Sequence, residues 1–232
     1  MTEVIGILSG KGGVGKSTLA FNLSTALAEQ SVRVLLIDAD LSTPALGLIV
    51  NSPLNEHGLQ DVLTGQKSIR DITYRHPEGP FLIFSHLNKK AKLDTLRECL
   101  DDLYGTVDYV LLDGPSGITP ELRDFIHACD SILIVTHPDQ VSATHALSML
   151  ELVREEGTRL KGIVVNAVQH ESPFTPVEIS SLLGATQVHT VRYDPLCLEA
   201  LKQHQSVFAK HRHGSSAGDY REIAAWLREK KR

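Results

Sequence analysis

A chain of 232 residues with a formal net charge of −5, 42% hydrophobic and 22% charged, carries too much apolar material for intrinsic disorder and can bury roughly 70% of its unfolded surface without a disulfide or metal staple. The acidic balance argues against a body built to coat a polyanion. Cys99, Cys129 and Cys197 form no Cys-x-x-Cys pair, which excludes a disulfide framework or compact cluster site, and no leader or roughly 20-residue apolar span is evident; the expectation is one soluble, cytoplasmic domain.

Short, continuously apolar, β-branched runs alternate with helix-period segments. The runs cover residues 4–8, 32–37, 81–84, 109–112, 131–136, 162–165 and 187–191. Continuous rather than alternating hydrophobicity suits strands buried on both faces of a parallel sheet. Helical spacing of apolar residues is found over 17–30, 93–103, 120–128, 141–155, 176–183 and 218–230. Thr119-Pro120 and Thr175-Pro176 each read as an N-cap followed by proline at the first helical position. The repeated βαβ order predicts an α/β fold, a doubly wound, mostly parallel sheet of seven to eight strands flanked by helices. Residues 46–80 are turn-rich, with one short helix predicted near 59–63.

The first run leads into Gly10-Lys11-Gly12-Gly13-Val14-Gly15-Lys16-Ser17-Thr18, which matches G-x-x-x-x-G-K-[ST] between a strand and an amphipathic helix. Glycines let backbone N–H groups turn inward as an anion nest, and the helix start adds its free amides and dipole. Lys16 is then a mobile point charge for β- and γ-phosphates, and Ser17 a hydroxyl for Mg²⁺. The second run ends in Asp38-Ala39-Asp40, two carboxylates at a strand's carboxyl end, expected beside the phosphate-loop strand. The fourth run ends in Asp113, the four-apolar-then-Asp pattern that holds a magnesium ion through its water.

The string KGGVGKST, with its second lysine at Lys11, resembles the deviant Walker A motif of the MinD/ParA family of ATPases. The resemblance extends from about residue 4 to 227 and is most specific over the first 40 residues. It implies a P-loop fold, ATP and Mg²⁺ as cofactors, and Lys11 as a signature lysine that crosses a homodimer interface to the partner's nucleotide. IDADLSTPALGL resembles the family's switch I, which implies that Asp38 lies near the magnesium shell and that Asp40 orients or deprotonates the attacking water. DGPSG at 113–117 resembles switch II with Ser116 in place of alanine, Gly114 and Gly117 being expected to let this loop follow the γ-phosphate. Asn166 matches an asparagine that reads adenine, and Asp194-Pro195 falls in an I-P-x-D-P-like loop near the base, with Arg192 replacing proline. Thr136 and Asp139 match a segment that shapes the dimer face.

The implied function is a MinD-like spatial-positioning ATPase that dimerises on Mg-ATP and meets an activating protein partner. The alternatives are a ParA-like DNA-partition ATPase, a non-hydrolysing adaptor, and a cluster carrier or reductase like nitrogenase iron protein or Mrp. Nucleic acid is not expected as a partner, given the −5 charge. Residues 219–232 read as a C-terminal helix with a basic end, either docked on the sheet or touching an anionic bilayer at about 1 kcal/mol per basic residue, with Trp226 off the docking face. The lysines at 89, 90 and 92 and the His211-Arg-His213 pair read as solvated loop residues.

Overall fold

The computed structural model describes residues 2–52, 56–87 and 89–229. In chain order the elements are β1 (Glu3–Ser9), α1 (Lys16–Glu29), β2 (Val34–Asp38), α2 (Leu46–Ile49), α3 (Leu59–Leu63), β3 (Tyr74–Arg75), β4 (Phe81–Ile83), α4 (Leu96–Leu100), β5 (Tyr109–Ser116), α5 (Leu122–His127), β6 (Ser131–Thr136), α6 (Gln140–Glu155), β7 (Arg159–Val168), α7 (Pro176–Leu183), β8 (Val188–Arg192), α8 (Pro195–Lys202), α9 (Val207–His211) and α10 (Ser215–Glu229). The eight strands form one sheet in the order β3-β4-β2-β5-β1-β6-β7-β8. Every pairing is parallel except β3 with β4.

The alternation of side chains along each strand divides the interior in two. Val4, Leu8, Val110, Leu112, Ile132 and Ile134 face one layer, where α3 to α7 supply Leu59, Leu96, Phe125, Met149 and Ile179. Ile5, Ile7, Leu36, Leu111, Leu133 and Val164 face the other, covered by α1, α2 and α8 to α10 through Leu23, Leu46, Cys197, Phe208 and Ile223. Both faces of the central strands are buried, which is why most of the strands read as unbroken apolar runs; the edge strand β8, with His189 and Thr190, does not.

Several elements differ from the sequence expectation. The second run is not adjacent to the phosphate-loop strand: β5 lies between β2 and β1. Strand order is a long-range property that local pattern does not encode. β3 and α2 occupy the turn-rich 46–80 region, two and four residues long, too short to show a period. α8 and α9 were not expected, although Asp194-Pro195 is an N-cap with proline at N1; Asp194 accepts from the Leu196 N–H at 3.0 Å. The helix expected from Pro120 begins at Leu122, because the Leu122 N–H turns back to the Thr119 carbonyl at 3.2 Å. The Thr175 cap forms as expected, in a capping box with Glu178. α10 starts four residues before 219, and Lys230, Lys231 and Arg232 of the expected basic end lie outside the described residues. Trp226 is engaged, donating to Gln187 Oε1 at 3.0 Å and packing on the His189 ring at 4.1 Å.

α9 is tied to α1 by a buried side chain. The Asn22 amide oxygen accepts from the Val207 N–H at 2.8 Å while its nitrogen donates to the Thr18 carbonyl at 2.9 Å. Asn22→Ala leaves a buried N–H without a partner, and a loss of about 1–3 kcal/mol is expected in urea unfolding.

Acid sensitivity should also be visible. Burial lowers the pKa of His76 and of His189. The unfolded chain then takes up protons near pH 6.5 that the folded chain does not. Stability is expected to be full above about pH 6.5 and to fall as pH drops through that value toward the depressed folded one. His76→Phe should shrink this fall in unfolding midpoints measured at pH 7.5 and 5.5.

Candidate nucleotide site

The site forms at the carboxyl ends of the central strands, where an open α/β sheet binds ligands. The loop from Gly10 to Gly15 leaves β1 and enters α1. Gly13 and Gly15 have φ of 81° and 82°, left-handed values that glycine adopts without strain. Gly15 is the N-cap of α1 and no side chain caps that end, which leaves the first-turn amides of Lys16, Ser17 and Thr18 pointing out of the helix toward the loop. Val14 is buried, Gly12 and Lys11 are exposed, and Ser17 and Thr18 are half-buried. Gly10 is required for packing: a Cβ there would lie 2.1 Å from the His145 carbonyl oxygen of α6.

Lys16 is buried and its Nζ lies 2.6 Å from Asp113 Oδ1. Asp38, the last residue of β2, and Asp113, within β5, are register partners. Asp38 is fully buried; its Oδ2 accepts from the Ala45 and Leu46 N–H groups at 3.0 and 2.9 Å, and Oδ1 from the Asp40 N–H at 3.3 Å. Burial, then the neighbouring Asp113 charge, pushes the Asp38 pKa up to about 8. Asp113 Oδ2 is buried and has no hydrogen-bond partner. Two neighbouring buried carboxylates with one ammonium paired to Asp113 leave this pocket short of positive charge, and an unpartnered carboxylate oxygen is a ligand that a hard divalent cation takes. The residues therefore fit Mg²⁺.

Asp40 lies just beyond, with Oδ1 accepting from the Thr43 N–H at 2.8 Å and Oδ2 from the Thr43 hydroxyl at 3.0 Å. A D-x-x-T spacing is the sequence trace of such a turn. Switch II departs from a free loop: β5 runs through Ser116, pairing slips between Ile7 and Ser9, and the Pro115 ring supplies no N–H for the ladder. Gly114 admits the Phe125 ring, 2.4 Å from where a Cβ would stand, so its missing side chain is needed for packing.

On the other side of the phosphate loop an open cavity of about 230 Å³ is lined by Gly13, Gly15, Thr18, Asn166 and the 191–194 segment. It is smaller than the roughly 300 Å³ of the smallest drug-sized pockets and suits one end of a ligand. The Asn166 amide nitrogen donates to the Val14 carbonyl at 2.8 Å, which sets the amide against the loop. Ala167 next to it holds φ of 57°, a left-handed value that costs an L-residue about 1–2 kcal/mol. Asp194 lines the cavity, but its carboxylate caps α8 and receives the Ser216 N–H and hydroxyl at 3.3 and 2.9 Å; Pro195 opens α8. His137, Cys197, Ser216 and Tyr220 also face this cavity. No local spacing announces them, since three separate segments bring them together.

Gly10→Ala must displace either the loop or α6. At least a tenfold weaker Kd for Mg-ATP in isothermal titration is the expected outcome, with the loss traced to the loop if circular dichroism is unchanged.

Comparison with known proteins agrees with this geometry. A ParA family model, described as the NUBPL iron-transfer P-loop NTPase, matches residues 1–224. An uncharacterised ATP-binding protein of Methanocaldococcus jannaschii is 32% identical over 232 residues, spanning 98% of this chain and 88% of its own. The septum site-determining protein MinD of Synechocystis is 28% identical over 202 residues, covering 84% and 74%. Among solved structures, MinD of Pyrococcus horikoshii complexed with Mg-ADP superposes with a TM-score of 0.91 at 25% identity, covering 98% of this chain and 96% of the other. The MinC:MinD complex of Aquifex aeolicus gives 0.89 at 25%, with 98% and 96% covered. A phosphate loop closing a parallel sheet, a buried Lys16–Asp113 pair and these matches lead to one statement: the chain belongs to the ParA family of P-loop NTPases, with MinD proteins among its near neighbours.

Proposed function

We propose that the chain is a MinD-like ATPase that binds Mg-ATP, dimerises face to face through Lys11, hydrolyses ATP to ADP and phosphate, and serves as a positioning switch for a division site or another cargo. The observation that carries this reading is the opposite treatment of two lysines in one loop. Lys16 is buried and paired, while Lys11 is exposed beside it. A structural lysine would gain from a partner, whereas one that acts on a second protomer has to remain on the surface. Ile118 and Val141, large apolar side chains 68% and 55% exposed, follow β5 and open α6 at the same sheet edge. They supply apolar surface for such a contact.

In this reading Lys16 meets the β- and γ-phosphate oxygens in place of Asp113. Ser17, Asp38 and Asp113 would hold Mg²⁺, whose charge would offset that of the phosphates. The amides of residues 12–18 cradle the phosphate chain. Asp40, oriented by Thr43, keeps carboxylate lone pairs for the attacking water, a positioning role that suits phosphoryl transfer. Asn166 and the 191–195 segment receive the base, with Asp194 contributing as a support rather than a direct ligand.

An activating protein partner, a cytoplasmic location and peripheral membrane contact through the basic C-terminal end belong to the same proposal. No helix among the described residues is long and apolar enough to cross a membrane. Trp226 is held by Gln187 and His189, so the membrane contact falls to the basic side chains.

The iron-transfer description of the family model supports a second reading as a cluster carrier. The thiols favour the first. Cys129 is buried against Gly6 and Phe125, Cys99 donates to the Val62 carbonyl, and Cys197 lies in the opposite layer. A cluster shared between protomers requires thiols together on an exposed face.

Asp40→Ala at saturating Mg-ATP is expected to double in mass by light scattering and to release phosphate about 10²-fold more slowly than the wild type. Lys11→Ala should remain monomeric. An Asp40→Ala protein that stays monomeric would refute the switch.

A further inference from the structure

Arg192 stands where the resembled loop has a proline, and its partners explain what it does. Its backbone N–H donates to Asp219 Oδ2 at 2.8 Å. Its Nε donates to Oδ1 and Oδ2 at 3.1 and 3.0 Å, and Nη2 to Oδ1 at 2.6 Å. Nη2 also reaches the Ser215 carbonyl at 3.1 Å. Asp194 makes the reciprocal link, its Oδ2 accepting from the Ser216 N–H and hydroxyl. One buried carboxylate from each side therefore fastens residues 192–194 to the first turn of α10. A planar guanidinium held by a carboxylate in this way has fixed direction as well as charge.

The fastened segment is the wall of the cavity described above. Val191, Arg192, Tyr193 and Asp194 form one side, and α10 itself adds Ser216 and Tyr220. Tyr220 is almost fully buried, so the helix cannot shift without moving the cavity's inner surface. The remainder of α10 is held separately, by the Tyr109 hydroxyl on the Leu227 carbonyl and by Trp226 on Gln187. Beyond the packing of Ala217 in the core, the two acid links tie the start of α10 to the 192–194 segment.

We propose that the first turn of α10 is a positioning element for the nucleoside end of the ligand, and that Arg192–Asp219 and Asp194–Ser216 couple cavity occupancy to the seating of α10. This rests on the nucleotide-binding reading above and adds a direction to it. A ligand with a base tightens the first turn of α10, and whatever pulls α10 from the sheet weakens the hold on the base, by the same factor. A phosphate chain without a base engages only the loop from Gly10 to Thr18 and leaves α10 as it was.

The comparison of Mg-ATP with magnesium tripolyphosphate separates these effects on the full chain. In isothermal titration, Asp219→Asn is expected to weaken ATP about tenfold, the size of an ordinary coupling, while tripolyphosphate changes less than twofold. Ser216→Ala should act in the same direction. Equal weakening of both ligands would mean general loosening and overturns the proposal, as does an unchanged ATP affinity. Hydrogen exchange on the wild type keeps the question open to test if Asp219→Asn fails to fold: amides 215–219 should slow more with ATP than with tripolyphosphate, and equal protection overturns the coupling. A wild type that binds neither ligand refutes the nucleotide reading itself, a result distinct from one that binds both without regard to Asp219.

Discussion

A buried ammonium–carboxylate pair organises this protein. Lys16 sits 2.6 Å from Asp113, and Asp38 lies in register beside Asp113 with its oxygens held by backbone amides. Charges taken out of water need close partners, and a pair alone seldom stabilises a fold. Here the arrangement demands that β2 and β5 be neighbours, that β5 flank β1, and that α1 begin at Lys16. Sheet order, loop and helix start all meet at that point.

The two sides of the phosphate loop are built differently. Toward β2 the site is made of charge, with Asp38, Asp40 and Asp113 held by backbone amides, Thr43 and Lys16. Toward β8 it is made of shape, a cavity walled by Asn166, the 191–194 segment and α10. The first side is local in sequence, each carboxylate lying within a few residues of the groups that hold it, apart from Lys16 on Asp113. The second is assembled from distant segments, with Arg192 and Asp219 joining β8 to the final helix.

Much of this was legible beforehand. The β-branched runs marked seven of the eight strands, most of them because burial on both faces leaves no polar alternation to confuse them. The glycines, Lys16 and Ser17 marked the loop, since few other sequences turn from strand to helix around an anion. β3, α2 and α9 escaped notice because two to five residues carry no period. α8 escaped because its Asp194-Pro195 cap was assigned to base binding, whereas the carboxylate is spent on capping α8 and holding Ser216. Gly114 has a packing role that the motif does not announce, since the Phe125 ring needs its missing side chain.

Sequence alone determined the α/β alternation, the anion loop, and the presence of Asp38, Asp40 and Asp113 at strand ends, because each depends on residues within a few positions of one another. Tertiary structure decided that β5 separates β2 from β1, that Asp113 rather than Asp38 takes Lys16, that Trp226 is occupied, and that α10 walls the cavity. Those outcomes depend on strand order and on contacts between residues far apart in the chain, which loop closure and packing settle and local propensity does not.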